Sequence, residues 1–88
     1  MKPYNWSTEK NKWLKENRDI SFEEVILAIA NHQIKEVYEH PNQRKYPDQK
    51  IYEIGINDYI YLVPFIENND ELFLKTIIPS RKATKKHK

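Results

Sequence analysis

Ile51-Tyr52-Glu53-Ile54-Gly55-Ile56-Asn57-Asp58-Tyr59-Ile60-Tyr61-Leu62-Val63 decides the fold. Two runs rich in Ile and Tyr, the residues favoured on a pleated surface, flank a pair that tolerates positive φ, so the stretch predicts two antiparallel strands joined by a two-residue hairpin turn at Asn57-Asp58. Upstream, Ile34 to His40 predicts another strand. Downstream, Glu67 to Glu71 is a polar turn and Leu72 to Ile78 a fourth strand. Pro64 cannot donate to a ladder and is expected to mark a bulge after Val63. His40 to Lys50 holds Pro41 and Pro47 among polar and aromatic residues. It predicts an ordered surface loop equipped for recognition.

Ahead of the strands the periodicity is helical. Ser7 is a candidate N-cap for a polar helix reaching Arg18. Ser21-Phe22-Glu23-Glu24 places a glutamate three residues after a serine, which is the signature of a capping box. Phe22, Val25, Ile26, Ile29 and Ala30 then recur on one face, predicting a core helix from Phe22 to Asn31. Trp6 and Trp13 are expected in the core, and Tyr38, Tyr52, Tyr59 and Tyr61 in sheet packing. The expected fold class is therefore α+β: two N-terminal helices packed on a four-stranded, mainly antiparallel sheet, followed by a short C-terminal helix or basic tail.

The 88 residues fit one small domain, 1–88, with 84–88 expected as a flexible basic tail. Charge is unevenly placed. Ser80 to Lys88 carries five basic residues and no acid, while the preceding residues carry ten basic and thirteen acidic, so the net +2 is −3 plus +5. A basic end delivered by a strand suits a phosphate-bearing or acidic partner. The absence of cysteine excludes disulfides, a thiolate nucleophile and Cys-based zinc sites, and favours a reducing compartment. With no apolar leader and no run near 20 apolar residues, the expected location is cytoplasmic.

Several chemistries are disfavoured. The single glycine, Gly55, is incompatible with a glycine-rich phosphate loop or a dinucleotide fingerprint. His32, His40 and His87 lack metal-ligand spacing, so neither metal nor cofactor is expected. Metal-free RNA cleavage remains within reach, because the ribose 2′-hydroxyl is its own nucleophile and the protein supplies only proton transfer and charge stabilisation. Suitable residues fall into two groups. One is the loop set His40, Arg44, Lys45 and Tyr46; the other is Lys75, Arg81 and Lys82, with Lys85 beyond. Spacing does not say whether the groups converge.

Asn5-Trp6-Ser7 with Lys10-Asn11, Ile20-Ser21-Phe22-Glu23-Glu24, and Ile77-Ile78-Pro79-Ser80-Arg81-Lys82-Ala83-Thr84-Lys85 together resemble the BrnT family of bacterial toxins, in which a W-D-x-x-K start precedes H-G-V-S-F-E-E and the chain closes on R-x-I-S-A-R-K-A-T. Arg18-Asp19 stands where that family usually has His-Gly, Lys75 where an arginine often stands, and Pro79 lengthens the closing motif by one residue. The resemblance implies a RelE-like ribonuclease fold, messenger RNA as substrate, and a BrnA-like antitoxin with a ribbon-helix-helix DNA-binding portion. It implies that Lys75, Arg81 and Lys82 contact phosphate. The expected function is the toxin of a type II toxin-antitoxin pair, a metal-independent endoribonuclease. Lys75, Arg81 and His40 are its expected catalytic residues, and Arg44, Lys45, Tyr46, Lys82 and Lys85 would bind RNA. The alternatives are a non-catalytic RNA- or protein-binding module of the same fold, and a small interaction protein whose basic end docks an acidic partner.

Overall fold

The computed structural model describes residues 2–87. In chain order the elements are β1 (Tyr4–Trp6), α1 (Thr8–Arg18), α2 (Phe22–Ala30), β2 (Ile34–Glu39), β3 (Gln49–Ile56), β4 (Tyr59–Glu67), β5 (Leu72–Leu74), β6 (Ile78–Pro79) and α3 (Arg81–Lys86). This is an α+β fold with six strands rather than four. The sheet runs β1-β5-β4-β3-β2, with β6 also pairing with β4. β1 pairs parallel to β5, and the other pairings are antiparallel.

The local signals act as the sequence predicts. Ser7 caps α1 by accepting from the amide of Lys10, and Ser21 and Glu24 form the complete capping box of α2. Asn57 and Asp58 both adopt positive φ, 52° and 64°, and join β3 to β4 in the tight hairpin. Asp19, the C-cap of α1, also sits in the left-handed region at φ 52°.

Alternation along the hairpin sorts its side chains onto two faces. Tyr52, Ile54 and Ile56 of β3 and Val63 and Phe65 of β4 share one face, on which α1 and α2 lay Leu14, Phe22, Val25 and Ala28. Leu74 and Ile77 complete that core. Trp6 packs on it by stacking against Phe22 at 5.6 Å between ring centres, and Tyr52 stacks on Phe65 at 4.1 Å. Trp13 does not join them. It is 42% exposed and lies under Lys10 and Arg18, because its side of α1 faces away from the sheet. Asn11 ties the two helices, accepting from the Phe22 amide at 2.8 Å and donating to Glu23 at 2.8 Å.

Pro64 corrects one expectation. Pairing of β3 with β4 runs through Ile51 opposite Pro64 without a register shift. The irregularity lies on the other side: from Leu74 to Ile78 the chain advances four residues, while β4 retreats three, from Phe65 to Leu62. One extra residue therefore sits in Lys75–Ile77, which splits the expected fourth strand into β5 and β6. The Pro64 carbonyl accepts from Lys75, so its nitrogen faces that same interrupted seam and no bond to β3 is lost. The extra residue also explains why Leu74 and Ile77, at odd spacing, both reach the core.

α3 lies on the opposite face of the sheet from α1 and α2. Its Ala83 and Thr84 are buried, and Thr84 Oγ1 accepts from the Ile60 amide at 2.9 Å and donates to the Ser80 carbonyl at 2.8 Å. The basic end expected as a tail over 84–88 is thus helical through Lys86, with Lys88 outside the described residues. Among the described residues no helix is long and apolar enough to cross a membrane.

Candidate nucleic-acid interface

The Ser80-Arg81-Lys82-Ala83-Thr84 stretch divides its labour by position. Ser80 is the N-cap, its hydroxyl accepting from the Ala83 amide at 3.1 Å, while Ala83 and Thr84 face the sheet. Arg81, Lys82 and Lys85 are left exposed, and among the described residues none of the three enters an ion pair. Arg81 and Lys85, four apart, share the outer side of the helix. Three cations are thereby held by a buried anchor while their charges stay in water.

Beneath the far end of α3 is a polar cluster. Glu53, the one acid in the apolar run of β3, has a side chain only 5% exposed. Its Oε1 lies 2.8 Å from His87 Nε2 and 3.2 Å from Lys86 Nζ. Lys86 also reaches Glu36 of β2 at 2.9 Å. Burial pushes the Glu53 pKa up, but hydrogen bonds from His87, Lys86 and Tyr38 outweigh it and hold the carboxyl below its ordinary value. Glu36 and Glu53 in turn hold the Lys86 ammonium above its ordinary value. Burial, then the neighbouring Glu53, raises the Tyr38 phenol. Glu36, Glu53 and His87 bring three ligand atoms within 4.8 Å of one another, yet Lys86 already supplies a cation between the two carboxylates.

A cleft flanks α3 on each side. One, of about 630 Å³, is lined by Lys35, Gly55, Asn57, Ile60, Thr84 and His87 among others. The other, of about 310 Å³, is bordered by Tyr38, Glu53, Leu62, Lys82 and Lys86.

The two groups of candidates from the sequence do not meet. The loop that contains His40, Arg44, Lys45 and Tyr46 leaves β2 beside Gln49, whereas Ser80 and Thr84 sit at Ile60, opposite Gly55. Six residues of β3 separate these points, about 20 Å at strand rise. His40 is absorbed locally: its Nδ1 accepts from the Asn42 amide at 3.0 Å and its ring packs on Tyr46 at 4.4 Å. Lys45 lies over the other partner in that stack, 5.4 Å from the Tyr46 ring centre, and Arg44 is exposed. The expected partnership of His40 with Arg81 is therefore corrected by the strand geometry. Lys75 leaves β5 just after Leu74. Since Leu74 points into the helix-covered core, Lys75 and Phe73 lie on the α3 face, with Lys75 Nζ 5.4 Å from the Phe73 ring. Its amide is bound at Pro64, four residues along β4 from Ile60, about 13 Å.

No protein-family model, curated protein or solved structure matches the chain.

Sequence reasoning passed over Glu53, Lys35 and His87. Glu53 carried a usable signal: an acid in the middle of an apolar strand must be paired if it is buried. Its partners Lys86 and His87 come from the end of α3, more than thirty positions away, and no local pattern announces them.

Proposed function

We propose that this chain is a metal-independent endoribonuclease acting in the cytoplasm as the toxin of a type II toxin-antitoxin pair, with a RelE-like fold of the BrnT kind. The observation that carries the reading is the trio Arg81, Lys82 and Lys85, in no ion pair among the described residues, on a helix anchored across one face of the sheet. Single-stranded RNA offers a line of phosphates to such a surface, and guanidinium and ammonium groups there stabilise the charge that develops when the backbone is cut. Lys75, on the same face, extends the positive track toward β5. The resemblance of both chain ends to BrnT supplies the substrate class, messenger RNA, and the partner, a BrnA-like antitoxin whose ribbon-helix-helix portion binds DNA.

Induced expression of the chain alone in a bacterium tests the reading, with growth and total messenger RNA followed in parallel. Growth arrest with loss of messenger RNA is expected, and the Arg81→Ala/Lys82→Ala pair should abolish both at equal soluble expression. Undiminished arrest in the double variant would remove α3 from the mechanism.

A further inference from the structure

We propose that the cleft beside the Asn57-Asp58 turn receives the ribose at the point of cutting, and that His87, oriented by Glu53, accepts the proton of its 2′-hydroxyl. The inference rests on the ribonuclease reading above and adds the reacting centre that the basic helix by itself lacks.

Three independent features converge on this cleft. The first is the His87–Glu53 contact of 2.8 Å, made through Nε2 to a carboxylate buried in the sheet. With Glu53 accepting, the hydrogen of the neutral ring resides on Nε2 and the lone pair on Nδ1. Among the described residues Nδ1 has no hydrogen-bond partner, and His87 lines the cleft. A carboxylate that fixes an imidazole while leaving its second nitrogen open is the arrangement general-base catalysis uses.

The second feature is a β-bulge. Ile34 pairs with Ile54 and Glu36 with Glu53, so Lys35 is the extra residue. Bulges re-aim side chains. Lys35 is thrown across the sheet into the cleft, 3.3 Å from Gln33 Oε1, and among the described residues it enters no ion pair.

The third is the chain's only glycine. A Cβ on Gly55 would stand 3.1 Å from Lys35 Cε and 3.6 Å from Gln33 Oε1, so the missing side chain lets Lys35 lie across the cleft floor. The backbone of Gly55 has no positive φ, so its placement answers to space rather than to a turn.

In the step itself the 2′-oxygen attacks the adjacent phosphorus, the phosphorus–O5′ bond breaks, and the 2′-hydroxyl proton passes to His87 Nδ1. Water protonates O5′, and the imidazolium returns its proton to the hydroxide that remains. The products are a 2′,3′-cyclic phosphate and a 5′-hydroxyl, with no net consumption of water. Lys35 balances the charge gathering on the non-bridging oxygens. Glu53, which never touches the substrate, is a positioning residue. Glu36 and Tyr38 of β2, Glu53 of β3 and Lys86 of α3 surround the Nε2 side of the ring, and Lys35, Asp58 and Tyr59 share the cleft with it.

The purified full chain, a single-stranded RNA oligonucleotide and the same sequence in DNA test this. The wild type should cut the RNA to a 2′,3′-cyclic phosphate and leave the DNA intact, while binding both. His87→Gln should lower kcat by about 100-fold or more with KM and DNA binding unchanged. Glu53→Gln should lower kcat while leaving KM unchanged, because the ring loses the carboxylate that holds its Nε2. Wild-type cutting that His87→Gln matches, or a kcat that Glu53→Gln leaves in place, overturns the role of His87 while the ribonuclease reading stands. A wild type that binds RNA without cutting it overturns both. Should His87→Gln fail to fold, the split between kcat and KM in Glu53→Gln decides.

Discussion

The Arg18 guanidinium donates to the carbonyl of Ile77 at 2.7 Å, joining the last turn of α1 to the segment just before β6 across 59 positions of sequence. The same side chain lies 5.0 Å from the Trp13 ring centre, so the aromatic residue left outside the core serves as a rest for the arginine that ties the chain together. A hydrogen bond from a charged donor to a half-buried carbonyl contributes more than a neutral one. Arg18→Ala should lower stability by about 1.5 kcal/mol in urea unfolding. A Trp13→Ala change should weaken the same link more mildly, and an unchanged urea midpoint in Arg18→Ala would show the bond to be incidental.

Asn11 uses both ends of its amide, one on the Phe22 amide and one on Glu23. Replacing it by alanine strands a buried N–H at the start of α2, at a cost of about 1–3 kcal/mol. Asn11→Asp keeps the acceptor but sets a second carboxylate against Glu23. Both variants should therefore unfold at lower denaturant, with the aspartate variant recovering as pH falls. Equal stability of all three proteins would dismiss the link.

Thr84 is the corresponding rivet on the other face. Thr84→Val leaves the Ile60 amide without its partner and should cost about 1–3 kcal/mol, whereas Thr84→Ser keeps the hydroxyl and most of the stability. Hydrogen exchange at Ile60 reports this directly, since its amide should lose protection in the valine variant alone.

Acid should weaken the grip of α3. The Glu53 carboxyl is held below its ordinary value, so its contribution is complete above the unfolded-state pKa of about 4.3 and disappears as pH falls through the folded value. At pH 7, Glu53→Gln should be less stable than the wild type by about 1 kcal/mol, and the gap should narrow as pH falls below about 4.3. Urea midpoints measured over that range check it. A gap that does not narrow with acid would assign the effect to packing rather than charge.

Salt gives the cheapest test of the basic helix. Each phosphate contact on a single strand adds about 0.7 to the slope of log affinity against log salt. Arg81→Ala/Lys82→Ala/Lys85→Ala should flatten that slope by about 2 if all three cations meet phosphate. A parallel line would place the RNA elsewhere.

What could be read from the sequence is what neighbours decide. The capping box at Ser21 and Glu24 and the Asn57-Asp58 turn need only the next few residues, and both stand as expected. β1 escaped notice because three residues, Tyr4 to Trp6, become a strand only by lying beside Leu72 to Leu74. Pro64 was correctly marked as a disturbance, but which neighbour would be disturbed depends on where its nitrogen points, and that is set by the pairing with β3. The basic end was legible as charge and not as architecture. The division of Ser80 to Thr84 into anchor and cations follows from a bond to Ile60 that no spacing reveals. His40 drew attention as a histidine in a polar loop, and its ring is taken up by Tyr46 and Asn42.

The pairing of Tyr4 with Leu72 also governs when the molecule can form. A ribosome that has released β1 must still synthesise as far as Leu72 before β5 exists to receive it, and Arg18 waits still longer for Ile77. The β3–β4 hairpin and α2 can organise early from local contacts, but the core stays open on the side of Leu74 and Ile77 until those residues emerge. Nascent chains of this protein should therefore remain sensitive to protease until the closing segment has left the exit tunnel. Any activity that depends on α3 then begins only after Arg81 to Lys86 have emerged and packed on the sheet.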